Sequence, residues 1–292
     1  MKSKRKPQIT DSEFEQMLNF ESRIIDASMR QATRLLIGEP ISNTGDHGSF
    51  LGYINVLPAD TTWPMHEDEP MLPLLQINLS QAPHRPPQLA GIEYLLVFCG
   101  VESSPDMAPG LLSELFDICQ KPNHEDKVKA FYKRNADKIE ISYSPDPDYI
   151  RVLTIAIGAG LTCVTSQDTH SILKPHRIDF ELIHDTVDSS GSNYKEYLAP
   201  EEAILAEELL RQREHTDEQY NEYLSLFKNV NGSKLGGWPS CIQDYIDFDG
   251  EADFVLQIAS DEQIGLMLLD AGTIYIGYNE QSNNWVSDWA CY

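Results

Sequence analysis

Lys234-Leu235-Gly236-Gly237-Trp238-Pro239-Ser240-Cys241, with Phe254-Val255-Leu256-Gln257-Ile258 and Asp270-Ala271-Gly272-Thr273-Ile274-Tyr275-Ile276 after it, carries the pattern that decides the fold. Gly236-Gly237 before Trp238-Pro239 reads as a turn, because glycine accepts positive φ and proline bars a continuing central strand. Phe254 to Ile258 is an apolar run of strand length, broken by Ser260-Asp261-Glu262. Ile264 to Leu269 is a second run and Thr273 to Ile276 a third. Three β-rich runs with short polar breaks predict an antiparallel meander.

Residues 51 to 98 echo this stretch. Leu51-Gly52 answers to Leu235-Gly236, Leu74-Leu75-Gln76-Ile77 to Val255-Leu256-Gln257-Ile258, and Gly91-Ile92-Glu93-Tyr94-Leu95 to Gly272-Thr273-Ile274-Tyr275-Ile276. The distance from glutamine to glycine is the same in both, 91 − 76 = 15 and 272 − 257 = 15. The expectation is an α+β protein of one domain over 1–292, with two related β-rich halves in one globule flanked by helices. Residues 39–110 and 229–292 are the repeated units, 111–228 the connecting helices and strands, and 1–9 a basic tail.

These residues resemble the YwqG-like bacterial family of unknown function. Trp63-Pro64 and Pro73-Leu74-Leu75-Gln76-Ile77-Asn78-Leu79 look like its N-terminal signature. Gly236, Gly237, Pro239, Gln243, Asp244, Leu256, Gln257, Ile258, Ser260, Asp261, Asp270, Ala271 and Gly272 look like its C-terminal one. Leu269 stands where the family usually has glycine, and Gly52-Tyr53-Ile54 where a Gly-Gly-x-Pro turn is usual. The resemblance implies an α+β architecture, and relatives that sit beside toxin genes as immunity proteins. It carries over no catalytic residue.

Elsewhere the chain predicts a helix from Asp11 or Ser12 that runs through Phe14, Ile25, Ala32 and Leu36 and ends at Gly38. Ser113 to Cys119 and Lys127 to Asn135 read as helices, and Lys138 to Tyr143 and Arg151 to Ile157 as strands. Ser144-Pro145-Asp146-Pro147-Asp148 reads as a loop, since prolines remove donors and restrict the residues before them. Pro200-Glu201-Glu202 opens a long helix that the charged stretch Arg211 to Glu218 can divide. Trp285 and Trp289, four apart, suggest a last helical turn.

Several chemistries lack their pattern. Gly158-Ala159-Gly160 has no third glycine of a dinucleotide loop. His170, His176 and His184 have no metal-helix spacing. Asp247 to Asp253 invites calcium, yet aligning Gly250 to the EF-hand glycine puts Tyr245 and Leu256 at ligand positions, so a solvated acidic hairpin loop is the reading. Cys99, Cys119, Cys163, Cys241 and Cys291 are odd in number and widely spaced, which fits reduced thiols used in packing, without a neighbouring His-Asn or His-Asp pattern for catalysis. No cofactor or metal is expected.

Charge is the strongest functional signal. The net charge is −24 over 292 residues, and the last 58 contain ten Asp and Glu and no Lys or Arg. Such a field repels nucleic acid and anionic membrane and attracts basic partners. No apolar run reaches the roughly 18 residues of a membrane helix, and polar residues follow Met1 to Pro7 where a signal peptide would be apolar. Taken with what the family resemblance implies, the charge gives the expectation of a cytoplasmic, non-enzymatic immunity protein for a cognate basic toxin, a nuclease. Its partner-binding candidates are Glu67, Asp68 and Glu69 in one acidic loop and Asp247, Asp249, Glu251 and Asp253 in another. The alternative is a small-molecule binder or enzyme using the groove between the halves.

Overall fold

In strand β7 (Ile92–Met107), Leu95, Val97 and Cys99 are buried on one face while Tyr94, Leu96 and Phe98 are buried on the other. A strand covered on both sides lies inside a layered structure. The protein, seen in a computed structural model, is described over residues 6–41, 45–107, 109–119, 125–135, 138–164, 173–188, 197–243, 246 and 248–292. It is a mixed α+β fold built on one ten-stranded sheet.

Before β7 come β1 (Arg30–Pro40), β2 (Phe50–Leu51), β3 (Val56–Pro58), β4 (Met65–His66), β5 (Glu69–Pro70) and β6 (Leu72–Asn78). After it come β8 (Ile139–Ala156), β9 (Leu161–Cys163), β10 (His176–Asp185), β11 (Lys234–Gly236), β12 (Asp253–Ala259), β13 (Thr273–Asn279) and β14 (Asn284–Ala290). The large sheet runs β14-β13-β12-β11-β1-β10-β2-β6-β7-β8, with β3–β9 and β4–β5 as separate two-stranded ribbons. Every pairing within it is antiparallel.

The sheet curls until its two ends meet. Leu75, Ile77, Leu95 and Val97 share one buried cluster with Leu256, Ile258, Ile274 and Ile276 from its other end. The Trp289 indole on β14 donates to the Asp148 carboxylate on β8 at 2.7 Å. On the outside, Ile54, Val56, Leu57 and Trp63 cover Tyr94, Leu96 and Phe98, while Ile242, Ile246 and Phe248 cover Tyr275. Helices α2 (Pro109–Cys119) and α3 (Glu125–Arg134) lie between β7 and β8 in the chain, and α1 (Asp11–Ser28), α4 (Pro200–Gln212) and α5 (Asp217–Leu226) pack together through Phe14, Met17, Ile24, Ala206, Leu209 and Tyr223.

The loop after each inner strand is held by a buried glutamine. Gln76 Nε2 donates to the Gly48 carbonyl and to Asn55 Oδ1, both at 2.9 Å, and its Oε1 accepts from the Asn55 and Val56 amides. Gln257 Nε2 donates to the Gly232 carbonyl and to Ser240 Oγ, both at 2.6 Å, and its Oε1 accepts from the Ser240 amide at 3.0 Å. The Ser49 and Ser233 hydroxyls accept from the Asn78 and Ala259 amides in turn. Phe50 pairs with Gln76 and Lys234 with Gln257. One correspondence slips: Tyr94 pairs with Asn78, whereas Thr273 pairs with Ala259, so the third run of the echo is offset by two residues from the pairing.

Several expectations are corrected. The first helix stops at Ser28 and Thr10 is its cap, because Thr10 and Glu13 form a reciprocal capping box. Ala32, Leu35 and Leu36 belong to β1, between two hydrogen-bonded neighbours that override their helix-like spacing. Ser144 to Asp148 lies within β8: this is a terminal strand, Pro145 pairs with Val101, and residues 147–149 form a bulge between Asp146 and Ile150, which tolerates missing donors. Trp285 and Trp289 lie in β14, not in a helix. Ile264 to Leu269 is a loop with a single bridge, Asp261 to Leu266, so the meander is β12–β13–β14. The predicted strand over Tyr53 to Leu57 gives only β3. The acidic stretch before Asp253 joins β11 to its antiparallel neighbour β12, as a hairpin connection does, with a 3-10 turn at Phe248–Gly250. The long helix is indeed divided, into α4 and α5, with Thr216 capping the second.

A candidate cleft beside a buried ion pair

Asp185, the last residue of β10, and Lys234, the first of β11, are both fully buried and joined at 2.8 Å. The same Asp185 oxygen accepts from the Trp238 amide at 2.8 Å, and its other oxygen accepts from the Val230 amide at 2.8 Å. Burial pushes the Lys234 ammonium below the usual lysine range, and the facing Asp185 carboxylate pulls it back. Gly237 explains the turn read in the sequence. Its φ is +77°, and a Cβ there would stand 2.3 Å from Asp185 Oδ2. The backbone can bend over the carboxylate only without a side chain.

That bend presents Trp238. Its indole N–H donates to the Ser28 carbonyl at 2.7 Å, and the Arg30 guanidinium stands 3.5 Å over its ring. Stacking of this kind is worth about 0.5–2 kcal/mol and fixes both side chains. Arg30 lines two cavities, which also share Asp253 and Phe254. One, of about 500 Å³, has Gly236 and Gly237 in its lining, opposite His84, Pro86 and Gln88 of the 84–88 connector, with Asp253 and Phe254 beside them. The other, of about 710 Å³, is lined by Trp238, Phe248, Glu251, Asp253, Tyr278 and Glu280 among others. Gln88 Nε2 donates to the Asp253 carboxylate at 3.1 Å across the first. Burial lowers the pKa of His84, which disfavours its charged form.

Chemically, the cleft offers aromatic faces, one stacked guanidinium and a carboxylate rim. This arrangement can hold a planar or cationic group. Of the residues expected to bind a partner, Glu251 and Asp253 reach the cleft, and Asp249 is exposed on the adjoining 3-10 turn with φ +57°. Asp247 lies outside the described residues. Glu67, Asp68 and Glu69 are elsewhere, on the β4–β5 hairpin beside β7, and line neither cavity. The two acidic loops are therefore not brought into one site.

Among the described residues, no three His, Cys, Asp or Glu side chains are grouped to hold a metal ion. His176 and His184 lie in β10, with His176 Nδ1 2.9 Å from the Lys174 carbonyl, and His170 is outside the described residues. Cysteine packing holds for buried Cys99, whereas Cys119 and Cys163 are exposed. Arg30, Asp185 and Gln88 escaped sequence reading. The local traces of the site were the Gly236-Gly237-Trp238 turn and the acidic residues Glu251 and Asp253.

The fold and cleft thus define an acidic α+β protein whose curled sheet carries an aromatic, carboxylate-rimmed depression. The chain belongs to the family described as "Domain of unknown function (DUF1963)", whose model matches residues 49–282. No curated relative matches the chain. Among the described residues, no helix is long and apolar enough to cross a membrane.

Proposed function

We propose that this is a YwqG-like immunity protein of the cytoplasm, a non-enzymatic binder that neutralises a cognate basic antibacterial toxin, a nuclease, by occluding its cleft. The observation that carries this reading is the one-sided charge of the last 58 residues, ten acids and no Lys or Arg, with Glu251, Asp253 and Glu280 rimming an aromatic depression. Carboxylates there stand in for phosphates against the toxin's Lys and Arg, and Trp238 and Tyr278 exclude water from the contact. The same field disfavours nucleic acid and anionic membrane as partners. The test uses a candidate toxin encoded beside this gene. Neutralising Asp249, Glu251 and Asp253 together should slow association at low salt by about tenfold, and raising salt should slow the wild type. Neutralising Glu67, Asp68 and Glu69 is the comparison, expected to matter less because that hairpin lies outside the cleft. Equal protection by both variants, with salt-insensitive binding, refutes the electrostatic mechanism.

We also infer that β2-β6-β7-β8 and β11-β12-β13-β14 descend from one duplicated unit. The matched glutamine locks and the strand order, mirrored about β1 and β10, support it. A family member with the lock in one half and an unrelated contact at the matching position of the other would count against it. A small-molecule reading draws on the 500 Å³ cavity between the 84–88 connector and Gly236–Gly237, which falls within the usual size of ligand sites. A metabolite that raises the melting temperature of wild type, but not of Gln88→Ala, would favour it over the toxin reading.

A further inference from the structure

We propose that Cys163 and His47 form a nucleophilic thiol site that undergoes thiol–disulfide exchange with small disulfides. This goes beyond the toxin-binding reading and does not depend on it. Cys163 Sγ lies 3.4 Å from His47 Nε2 on the exposed side of the β3–β9 ribbon. A thiol becomes a nucleophile when a neighbouring imidazole takes its proton.

Both residues are held in place from several directions. Cys163 pairs with Val56, and the next amide, that of Val164, donates to the Asn55 carbonyl at 2.9 Å. The His47 carbonyl accepts from the Tyr94 hydroxyl and from Asn78 Nδ2, each at 3.2 Å. On one side of His47, the Asp46 carboxylate is paired with the Arg177 guanidinium and the Asp46 carbonyl accepts from Asn55 Nδ2 at 2.6 Å. On the other, the Gly48 carbonyl accepts from buried Gln76. The contact therefore joins two pinned backbones, and Asp46 on the same loop and Arg177 on β10 are the charged groups beside it. Cys99 is the contrast. It is buried, burial raises its pKa, and its thiol donates to the Asp146 carbonyl at 3.1 Å, an inert arrangement.

In the exchange, the Cys163 proton passes to His47 Nε2 and the thiolate attacks one sulfur of R–S–S–R. The Cys163–S–SR bond forms as the old S–S bond breaks. The departing thiolate takes the proton from the imidazolium and leaves as RSH, so neither electrons nor atoms are left over. The mixed disulfide would then sit beside the 46–49 loop that supplies the Gly48 carbonyl to Gln76.

The experiment treats the full-length protein at pH 7 with oxidised glutathione, and separately with iodoacetamide, and follows each cysteine by peptide mass spectrometry. Exposed Cys119 is the internal reference. Cys163 should react about tenfold faster than Cys119 with both reagents. His47→Ala should lower Cys163 to the reference rate, and His47→Gln, which keeps a polar side chain, should do the same with the melting temperature retained. Equal rates at Cys163 and Cys119 in the wild type, or an unchanged Cys163 rate in a folded His47 variant, overturns the proposal.

Discussion

Gln76 and Gln257 each tie a glycine carbonyl before the neighbouring strand to polar groups after it, yet the residue paired with each glutamine differs completely. Beside Gln76 it is Phe50, fully buried and edge-on to Tyr53 at 5.5 Å. Beside Gln257 it is Lys234, fully buried and ion-paired to Asp185. The same backbone thus accepts either an aromatic ring or a charge, provided the charge brings its own partner. The aromatic version is the safer one energetically, because a buried ion pair gains little over a hydrophobic pair and loses heavily when one member is removed. What the ion pair adds is position: Asp185 also holds the Trp238 amide, and so sets the rim of the cleft.

The comparison breaks most visibly at Asp185. Asp185→Ala would leave buried Lys234 without its ion-pair partner and orphan the Val230 and Trp238 amides, so a loss of about 3–5 kcal/mol or more is expected by urea denaturation, a large share of a typical stability. Phe50→Ala, a cavity without a stranded charge, should cost no more than this and leave the Trp238 emission spectrum in place. The glutamines come next. Gln76→Leu and Gln257→Leu each strand at least one buried amide and one carbonyl, for roughly 2–6 kcal/mol apiece. If only one proves costly, the two locks are not energetically equivalent.

A buried acid without a partner sharpens the contrast. Glu21 on α1 is buried with Oε2 unpaired, and burial raises its pKa from the usual 4.5 to about 7. Below the lower value both states hold the proton and nothing is lost. Between the two values the unfolded chain ionises first, so this group makes stability fall as pH rises, by about 3 kcal/mol in all. Glu21→Gln should therefore stabilise the protein at pH 8 and change little at pH 4, seen in melting curves at the two pH values. The smallest effect belongs to Leu269, half exposed with φ +51°. Leu269→Gly should relieve left-handed strain against a loss of chain entropy, a net gain of about 0.5 kcal/mol.

What could be read from the sequence followed from local pattern. Phe254 to Ile258 and Thr273 to Ile276 announce strands because burial on both faces demands continuous apolar residues, and Pro200 marks a helix start by its own stereochemistry. Ile264, Leu266 and Leu268 mislead for an instructive reason. They alternate like a strand and are buried like one, yet they belong to a loop tied by the Ser260 hydroxyl, which accepts from Leu268 and donates to the Gly272 carbonyl. The cleft was hidden because its parts come from positions 30, 88, 185, 238 and 253, and nothing local ties Arg30 to Trp238. Acidic composition pointed toward Glu251 and Asp253 but gave Glu67 to Glu69 equal weight, since charge in a sequence carries no address.

The meeting of β8 with β14 has a consequence for behaviour at high concentration. An open sheet ends in a row of unpaired amides and carbonyls on which another chain's strand can grow. Here one end carries Pro145 and the bulge at 147–149, and it lies against the other end through Asp148 and Trp289. Resistance to strand-by-strand polymerisation is therefore built into the topology. It should persist in molar salt, where mutual repulsion between molecules of charge −24 is screened to a few ångströms.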